Sequence, residues 1–542
     1  MLTVHRRLVA GPVLRSGTTA PYRAVVAAGG EAHALRTELT GPVSGDLRPR
    51  GRPFLTLGHI TDLHVTDVES PARFEFLNRF AGDLRFKELI TMQRPHEALN
   101  AHAVDAMVQA LNAIEAGPVA GGQPQLVVMG GDAIDNAQSN ELAIFMALLD
   151  GGLVSPGSGG PEFEGVQAPG WPDDIFWKPD GGAFGRDGFR VAYGFPHMPG
   201  LLERGMRAFD ATGLRVPWIG CHGNHDELCQ GVGIVTQELA AAMVAGRKPV
   251  ALTEGFDPAT AVELFVARPQ VYMAGPTLAV TPDPARRPAR MSGFIESHFR
   301  SAAGPDGHGF TSANRRYGTA YYVHDTPAVR LITLDTACAA GGADGTLGRD
   351  QLRWLEERLV EVHASYTDAS GATIRTDNAN RLVVIVSHHP LFTVGNARAA
   401  DGVTGVELLA TVNRFANVVL WLNGHVHQNL VQAHANREGV GVGFWEVTTS
   451  SLVDWPCQSR LVEIFDAGSG RLGIACTMVD HDGEVDPGGA VTAGELAGLH
   501  RQLSANDPLG GMSTPRAGSA ADRNVILGLP APFPLDRLHR EG

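Results

Sequence analysis

Five apolar runs in this chain each end in a short polar segment rich in Asp, Asn or His. Pro53 to Ile60 leads into Asp62-x-His64, and Gln125 to Met129 ends in Gly130-Gly131-Asp132. Val216 to Ile219 leads to Gly223-Asn224-His225-Asp226. Leu382 to Val386 ends at His388-His389-Pro390, and Val418 to Leu422 ends at Gly424-His425-Val426-His427. Short runs of Val, Ile and Leu bounded by Gly are strands covered on both faces. In open α/β sheets, ligands gather at the carboxyl ends of the strands. Five such ends in one chain therefore predict a mixed α/β fold with its chemistry on one side.

Helical periodicity fills the gaps. Leu99, Ala103, Val104, Met107, Leu111 and Ile114 form one apolar stripe and predict a helix near Pro95 to Glu115. Further helices are expected over about 140–149 and 348–362. Strands are expected near 321–323, 329–334, 443–447 and 460–465. Thr492-x-x-Glu495 reads as a capping box opening a helix to about Leu503.

The chain has 542 residues, with room for one elaborated catalytic domain or two ordinary ones. Residues 1–50 read as an extended lead-in and 51–467 as the catalytic domain. Gly-, Pro- and Trp-rich insertions are expected at about 151–205 and 270–315, the aromatics in the first suggesting an ordered wall of the catalytic face. Residues 468–542 read as a C-terminal extension, partly helical and then a loop over the surface. A formal charge of −14 argues against a nucleic-acid or anionic-membrane partner, since both need a basic face. No apolar run approaches the roughly 18 residues of a membrane span. Arg6-Arg7 and the short apolar stretch after them make a poor export signal, so a cytoplasmic enzyme is expected. The five cysteines are widely spaced and form no CxxC pair, which disfavours a disulfide framework or a thiolate zinc site. P-loop, HExxH and GxSxG patterns are absent.

The spacing within the segments suits metal ligation. Side chains at i and i+2 of an extended segment point the same way, so Asp62 can act with His64, and His425 with His427. Asn224 and His225 are adjacent and diverge, leaving Asn224 to ligate while His225 is free for acid–base work. All donors are oxygen or imidazole nitrogen, which suits Mn, Fe, Zn or Mg. Two carboxylates leave two divalent ions with surplus positive charge, so the site accepts an anion.

The series DxH, GD, GNHD, H, GHxH resembles the calcineurin-like metallophosphoesterases, and every element is present in order. The lead-in and the stretch from Trp445 to Arg460 resemble an actinobacterial subgroup of that family. The resemblance implies a four-layer α/β/β/α sandwich with two mixed β-sheets. It implies that Asp62, His64 and His427 hold one metal, that Asp132 bridges, and that Asn224, His388 and His425 hold the second. It further implies attack on phosphorus by a metal-held hydroxide, with His225 protonating the leaving oxygen and Asp226 orienting its ring. Mn or Fe is favoured in at least one position. The expected substrate is a small phosphoester, with phosphodiester hydrolysis preferred over a phosphomonoesterase and over an inactive scaffold of the same fold. A purple acid phosphatase would carry a Tyr ligand at about Asp135, and this chain does not.

Candidate substrate contacts are Asn136, His389, and, from the second irregular stretch, His308 and Arg316. For each a structural role stands beside the functional one. His59 and His222 read as structural.

Overall fold

Alternation along each strand sorts its side chains between two faces. In the strand Leu382–Val386, Val383 and Ile385 turn to one side with Ile332, Trp421 and Phe444. There they meet Leu352, Leu355 and Leu359 of the helix Arg349–Val360 and Leu408 of the helix Gly405–Val412. A 12-residue helix is marginal alone in water, and three buried leucines at about 1.5–3 kcal/mol each are enough to fix it. Leu382, Val384 and Val386 turn the other way, into the main core with Leu331, Leu420, Leu422 and Trp445. The computed structural model describes residues 1–41, 47–182, 187–436 and 443–541.

These strands belong to a six-stranded mixed sheet, in spatial order Tyr322–Asp325, Val329–Thr333, Leu382–Val386, Val418–Asn423, Gly443–Thr448 and Leu430–Ala435. Its four inner strands run parallel and both edge strands antiparallel to them. A second, seven-stranded sheet has the order Ala34–Arg36, Val525–Pro530, Arg471–Asp480, Gln458–Gly468, Leu55–Ile60, Leu126–Met129 and Trp218–Gly220. Its last three strands are parallel to one another.

The two sheets face each other across the main core. Trp445 of the first donates its indole N–H to the Gly528 carbonyl of the second at 3.1 Å, and His59 Nδ1 lies 2.8 Å from Thr449 Oγ1. On the far side of the second sheet, Ser459 Oγ donates to Met107 Sδ in the helix Asn100–Asn112. Gly58 lies under Leu111 of that helix, where a Cβ would crowd it. The order helix, sheet, sheet, helix is a four-layer α/β/β/α sandwich.

Two segments depart from expectation. The C-terminal stretch, expected as surface loop, supplies the strand Val525–Pro530, inserted between Ala34–Arg36 and Arg471–Asp480. Its Val-Ile-Leu-Gly-Leu run is apolar enough for a buried strand despite the Gly- and Pro-rich surroundings. The N-terminal lead-in is an antiparallel ladder, Arg6–Arg15 with Tyr22–Gly29, followed by the strand Ala34–Arg36. Trp171 and Phe176 of the 151–205 stretch are buried together with Val166, so that stretch carries a small core of its own. All five cysteines are buried and free. Among the described residues, no helix is long and apolar enough to cross a membrane.

Candidate metal centre

The carboxyl ends of the parallel strands in both sheets point to one place. Asp62 and His64 follow Leu55–Ile60, Asp132 follows Leu126–Met129, and Asn224 and His225 follow Trp218–Gly220. His388 and His389 follow Leu382–Val386, while His425 and His427 follow Val418–Asn423. Asp62, His64, Asp132, His425 and His427 all have positive φ, between 46° and 67°. That region is sparsely populated by residues other than Gly, costs about 1–3 kcal/mol per residue, and clusters at functional sites. The surroundings hold these turns. Asn100 Nδ2 donates to the Leu63 carbonyl at 2.8 Å, and the His425 N–H donates to both Asp62 carboxylate oxygens at 3.1 and 3.0 Å. Gly424 and Gly223 admit the close approach, since a Cβ would strike Asp62 at the first and Asp132 at the second.

The protonation of the rings follows from their partners. His64 Nδ1 lies 3.1 Å from Asp135 Oδ1, and His427 Nδ1 lies 2.6 Å from Asp454 Oδ2. An ionised carboxylate only accepts, so both Nδ1 atoms carry the hydrogen and both Nε2 atoms present lone pairs when the rings are neutral. Those two Nε2 atoms face each other at 3.1 Å. Against its burial, Asp62 and Asp454 raise the His427 pKa, so a proton on His427 bridges the pair, and in its place the separation suits two nitrogens each about 2.1 Å from one ion. Asp62 Oδ1 stands 3.3 Å from His427 Nε2. His388 repeats the pattern. Its Nδ1 donates to the Gly130 carbonyl at 2.9 Å, while its buried Nε2 has no hydrogen-bond partner and lies 3.1 Å from Asp132 Oδ2. Asn224 Nδ2 donates to the Gly231 carbonyl, and its buried Oδ1 is left without a partner. Asp132 Oδ2 is also 3.7 Å from His64 Nε2, so it stands between the two groups of donors. The residues present fit two cations sharing Asp132.

Electrostatics point the same way. Burial works against charge throughout the site, yet the His427 and His388 rings hold the Asp62 carboxyl well below the carboxylate range. Asp132 is likewise held low by His388 and His225 against its burial. Burial disfavours a charged His388, but Asp132 and Asp62 overcome it and push that ring up to about 9. In the metal-free protein His388 therefore keeps a proton that a metal must displace. Apparent metal affinity should rise from about pH 6 to about pH 9, by up to about tenfold per unit for each proton released, and level off above. Calorimetry of Mn²⁺ uptake in buffers of different ionisation enthalpy reads that proton; affinity that stays flat over the range would contradict it.

Asp135 and Asp454 were not singled out as supports, and each backs an imidazole of the candidate centre, His64 and His427 respectively. Asp135 also accepts from Arg73 at 3.1 Å and from Gln230 Nε2 at 2.8 Å, and Arg73 is paired in turn with Glu97 at 2.7 Å. Carboxylates behind metal-bound imidazoles typically hold 10–100-fold of the metal affinity. Asp135→Asn should weaken metal binding by about that factor, read by competition with a chelating dye. Both carboxylates were visible in the sequence, Asp135 three residues past Asp132 and Asp454 just after the strand Gly443–Thr448. Nothing local showed which ring each would face.

His225 Nδ1 donates to the Asp135 carbonyl oxygen at 2.6 Å, with Asp135 Oδ1 3.7 Å away. Its ring is partly exposed to a cavity of about 220 Å³, lined also by His64, Asp132, Asn224, His425 and His427. Asp226 does not orient that ring. Its carboxylate accepts the N–H groups of Gly223 and Ile134, fixing the turn on which Asn224 and His225 sit, and burial pushes its carboxyl up to about 7.

The four candidate substrate contacts are not brought to the cavity. Asn136 is buried, with Nδ2 donating to the Ala72 carbonyl and Oδ1 accepting from the Gln230 N–H. His389 is buried behind His388 and His425 with both nitrogens engaged, by Thr336 Oγ1 at 2.8 Å and the Ala343 carbonyl at 3.0 Å. His308 stacks on Trp218 with centroids 3.7 Å apart, and Nδ1 donates to the Trp218 carbonyl. Arg316 lies on the short helix Ser312–Tyr317, over the Tyr317 ring. Asn136 and His389 are held by local backbone and hydroxyl partners, whereas His308 and Arg316 sit on elements packed away from the cavity. His59 and His222 are buried and bonded to Thr449 and Asp335. Among the described residues, none that lines the cavity comes from 151–205 or 270–315; the wall is built instead by segments around 88–94, 224–232 and 425–427, with Ala343 and Arg516.

No family model matches the chain, and no curated protein matches it. Several solved structures are similar to it, two of them as follows. A dimetal phosphatase from Danio rerio is 12% identical, over 79% of this chain and 99% of that one, with a TM-score of 0.35. The sulfate thiohydrolase SoxB of Thermus thermophilus, solved with glycerol, is 13% identical over 78% of this chain and 55% of that one, with a TM-score of 0.26.

Proposed function

We propose that this chain is a metallophosphoesterase that hydrolyses a small phosphoester, preferably a phosphodiester, at a dinuclear metal centre in the cytoplasm. The observation that carries the reading is the gathering of Asp62, His64, Asp132, Asn224, His388, His425 and His427 at the carboxyl ends of the strands, with His388 Nε2 and Asn224 Oδ1 left without hydrogen-bond partners. Those residues lie on the five segments whose order resembles the calcineurin-like family. We assign Asp62, His64 and His427 to one ion, Asn224, His388 and His425 to the other, and Asp132 to both. Mn or Fe in at least one position is our preferred choice.

When bound, two such ions supply Lewis acidity toward a phosphoryl oxygen and bring a water's pKa toward neutrality. The chain's own residues do the rest. Asp135 and Asp454 fix the His64 and His427 tautomers, so that both rings present Nε2 to the centre. The Asp135 carbonyl fixes His225 in the same way and leaves its Nε2 free to hold a proton toward the departing oxygen. An inactive scaffold of the same fold is expected to lack ligands or the acid–base imidazole, whereas Asp62, His64, Asp132, Asn224, His225, His388, His425 and His427 are all present.

A paired rate assay on metal-stripped protein refilled with Mn²⁺ tests the reading. Faster cleavage of bis-p-nitrophenyl phosphate than of p-nitrophenyl phosphate is the expected result. The reverse order would make the chain a phosphomonoesterase with the same donors, and no cleavage of either would remove the proposal.

A further inference from the structure

Two guanidinium groups stand beside the metal centre with no part in holding it. Arg94 precedes the helix Asn100–Asn112, and Arg516 comes from the C-terminal segment more than four hundred residues away. Both line the same cavity as His225, His64 and Asp132. Both are anchored on Asp454: Arg94 Nε donates to Oδ1 at 2.8 Å, and Arg516 donates to Oδ2. Asp454 Oδ2 also receives the His427 Nδ1 hydrogen.

One carboxylate thus serves two guanidinium groups and an imidazole, while Glu97 approaches Arg94 Nη1 at 3.9 Å and, among the described residues, Arg516 pairs with Asp454 alone. Asp454 is 1% exposed, whereas the side chains of Arg94 and Arg516 are 10% and 21% exposed, toward the cavity. Arg516 commits Nη1 to Asp454, and among the described residues no hydrogen bond engages its Nε or Nη2. A guanidinium has five N–H donors in a planar fork, and the unused ones suit a carboxylate or phosphate.

Their position separates them from the reacting phosphorus. Arg516 Nη1 lies 3.1 Å from His427 Nδ1, on the opposite edge of the ring from the Nε2 that faces His64 and Asp62. Arg516 is therefore displaced along the imidazole from the Nε2 that faces His64 and Asp62, yet opens with Arg94 into the same cavity. That offset matches a substituent adjoining the scissile phosphate better than the phosphate itself.

We infer that Arg94 and Arg516 form an anion subsite beside the metal centre, which takes a second acidic group carried by the substrate next to its scissile phosphate. This rests on the proposed function above and narrows its substrate class to phosphoesters bearing a neighbouring carboxylate or phosphate.

Calorimetry on the Mn²⁺-loaded full chain tests it, with methyl phosphate, which has no second acidic group, as the comparator. Phosphoglycolate probes a carboxylate, and ethane-1,2-diol bisphosphate probes a second phosphate. One of the two acidic ligands should bind about tenfold or more tighter than methyl phosphate, the scale of one charge-assisted hydrogen bond. Arg516→Gln and Arg94→Gln should each remove most of that margin, with two ions per chain retained by elemental analysis. Arg516→Lys, which keeps the charge but not the fork, should retain part of it. Equal affinities for all three ligands in the unmodified protein would overturn the inference. So would Gln variants that lose methyl phosphate as steeply as the acidic ligand, which would place the guanidinium groups on the scissile phosphate. Variants that lose their metal would reduce both arginines to supports for Asp454. Unmodified protein that takes up two ions and binds methyl phosphate leaves the proposed function standing even where the margin is missing; protein that takes up no metal ends both.

Discussion

Replacing Asp132 by Asn should leave the chain folded and without a working metal centre. Asp132 Oδ2 stands 3.1 Å from His388 Nε2 and 3.7 Å from His64 Nε2, so it serves both groups of donors. Neutralising it removes one of the two carboxylate charges that offset the ions. An amide also presents an N–H₂ where an acceptor is needed on one side or the other. The loss in metal affinity should exceed the about 10–100-fold typical of a supporting partner, and turnover should fall with it. The backbone role of this residue survives the change, because Oδ1 accepts the His225 N–H at 2.9 Å and an amide oxygen does so as well. Elemental analysis after gel filtration, beside a circular dichroism spectrum, separates lost metal from lost fold. Two ions retained at full occupancy would show that Asp132 is not the shared ligand.

His225→Ala should produce the complementary result: full metal and little turnover. His225 is not among the seven donors assigned to the ions, although its ring stands against that of His64 with centroids 4.4 Å apart, and its Nδ1 is occupied by the Asp135 carbonyl. Removing the ring deletes the group placed to hand a proton to the leaving oxygen, a contribution of about 10²–10⁴-fold in kcat. The effect should shrink for leaving groups that need no proton, such as p-nitrophenolate, and grow for an alkyl alcohol. A mere loss of packing would lower both substrates alike, so the ratio of the two rates decides the role. Unchanged turnover on an alkyl ester would transfer the acid to another group.

Much of this was legible along the chain because the parallel strands are buried on both faces. Continuous runs such as Leu382–Val386 and Val418–Asn423 identify themselves, and the polar residues after them stand out against that background. The strands that escaped notice lie where pairing is decided by distant partners. Arg471–Asp480 reads as a mixed run with a glycine, and it is a ten-residue central strand because Gln458–Gly468 and Val525–Pro530 flank it. The donors at the centre carry their chemistry in their own side chains, so type and spacing expose them. Their supports do not. Asp454 becomes informative only once the fold lays it against His427, Arg94 and Arg516, residues separated by hundreds of positions. Asp226 misled for the same reason: adjacency to His225 suggested a partner, whereas its carboxylate turns back onto the Gly223 and Ile134 N–H groups. His308 and Arg316 had the right chemistry but sit on elements that pack elsewhere.

The central claim is that two ions held by these donors make the chain a phosphoesterase. A titration of bis-p-nitrophenyl phosphate hydrolysis against Mn²⁺ equivalents, on metal-stripped protein, tests it most directly. The account predicts negligible turnover in the stripped chain and a rate that climbs until about two ions per chain are bound, then levels off. Two ions bound without turnover on this ester or its monoester, or turnover undiminished by complete removal of metal, would contradict it.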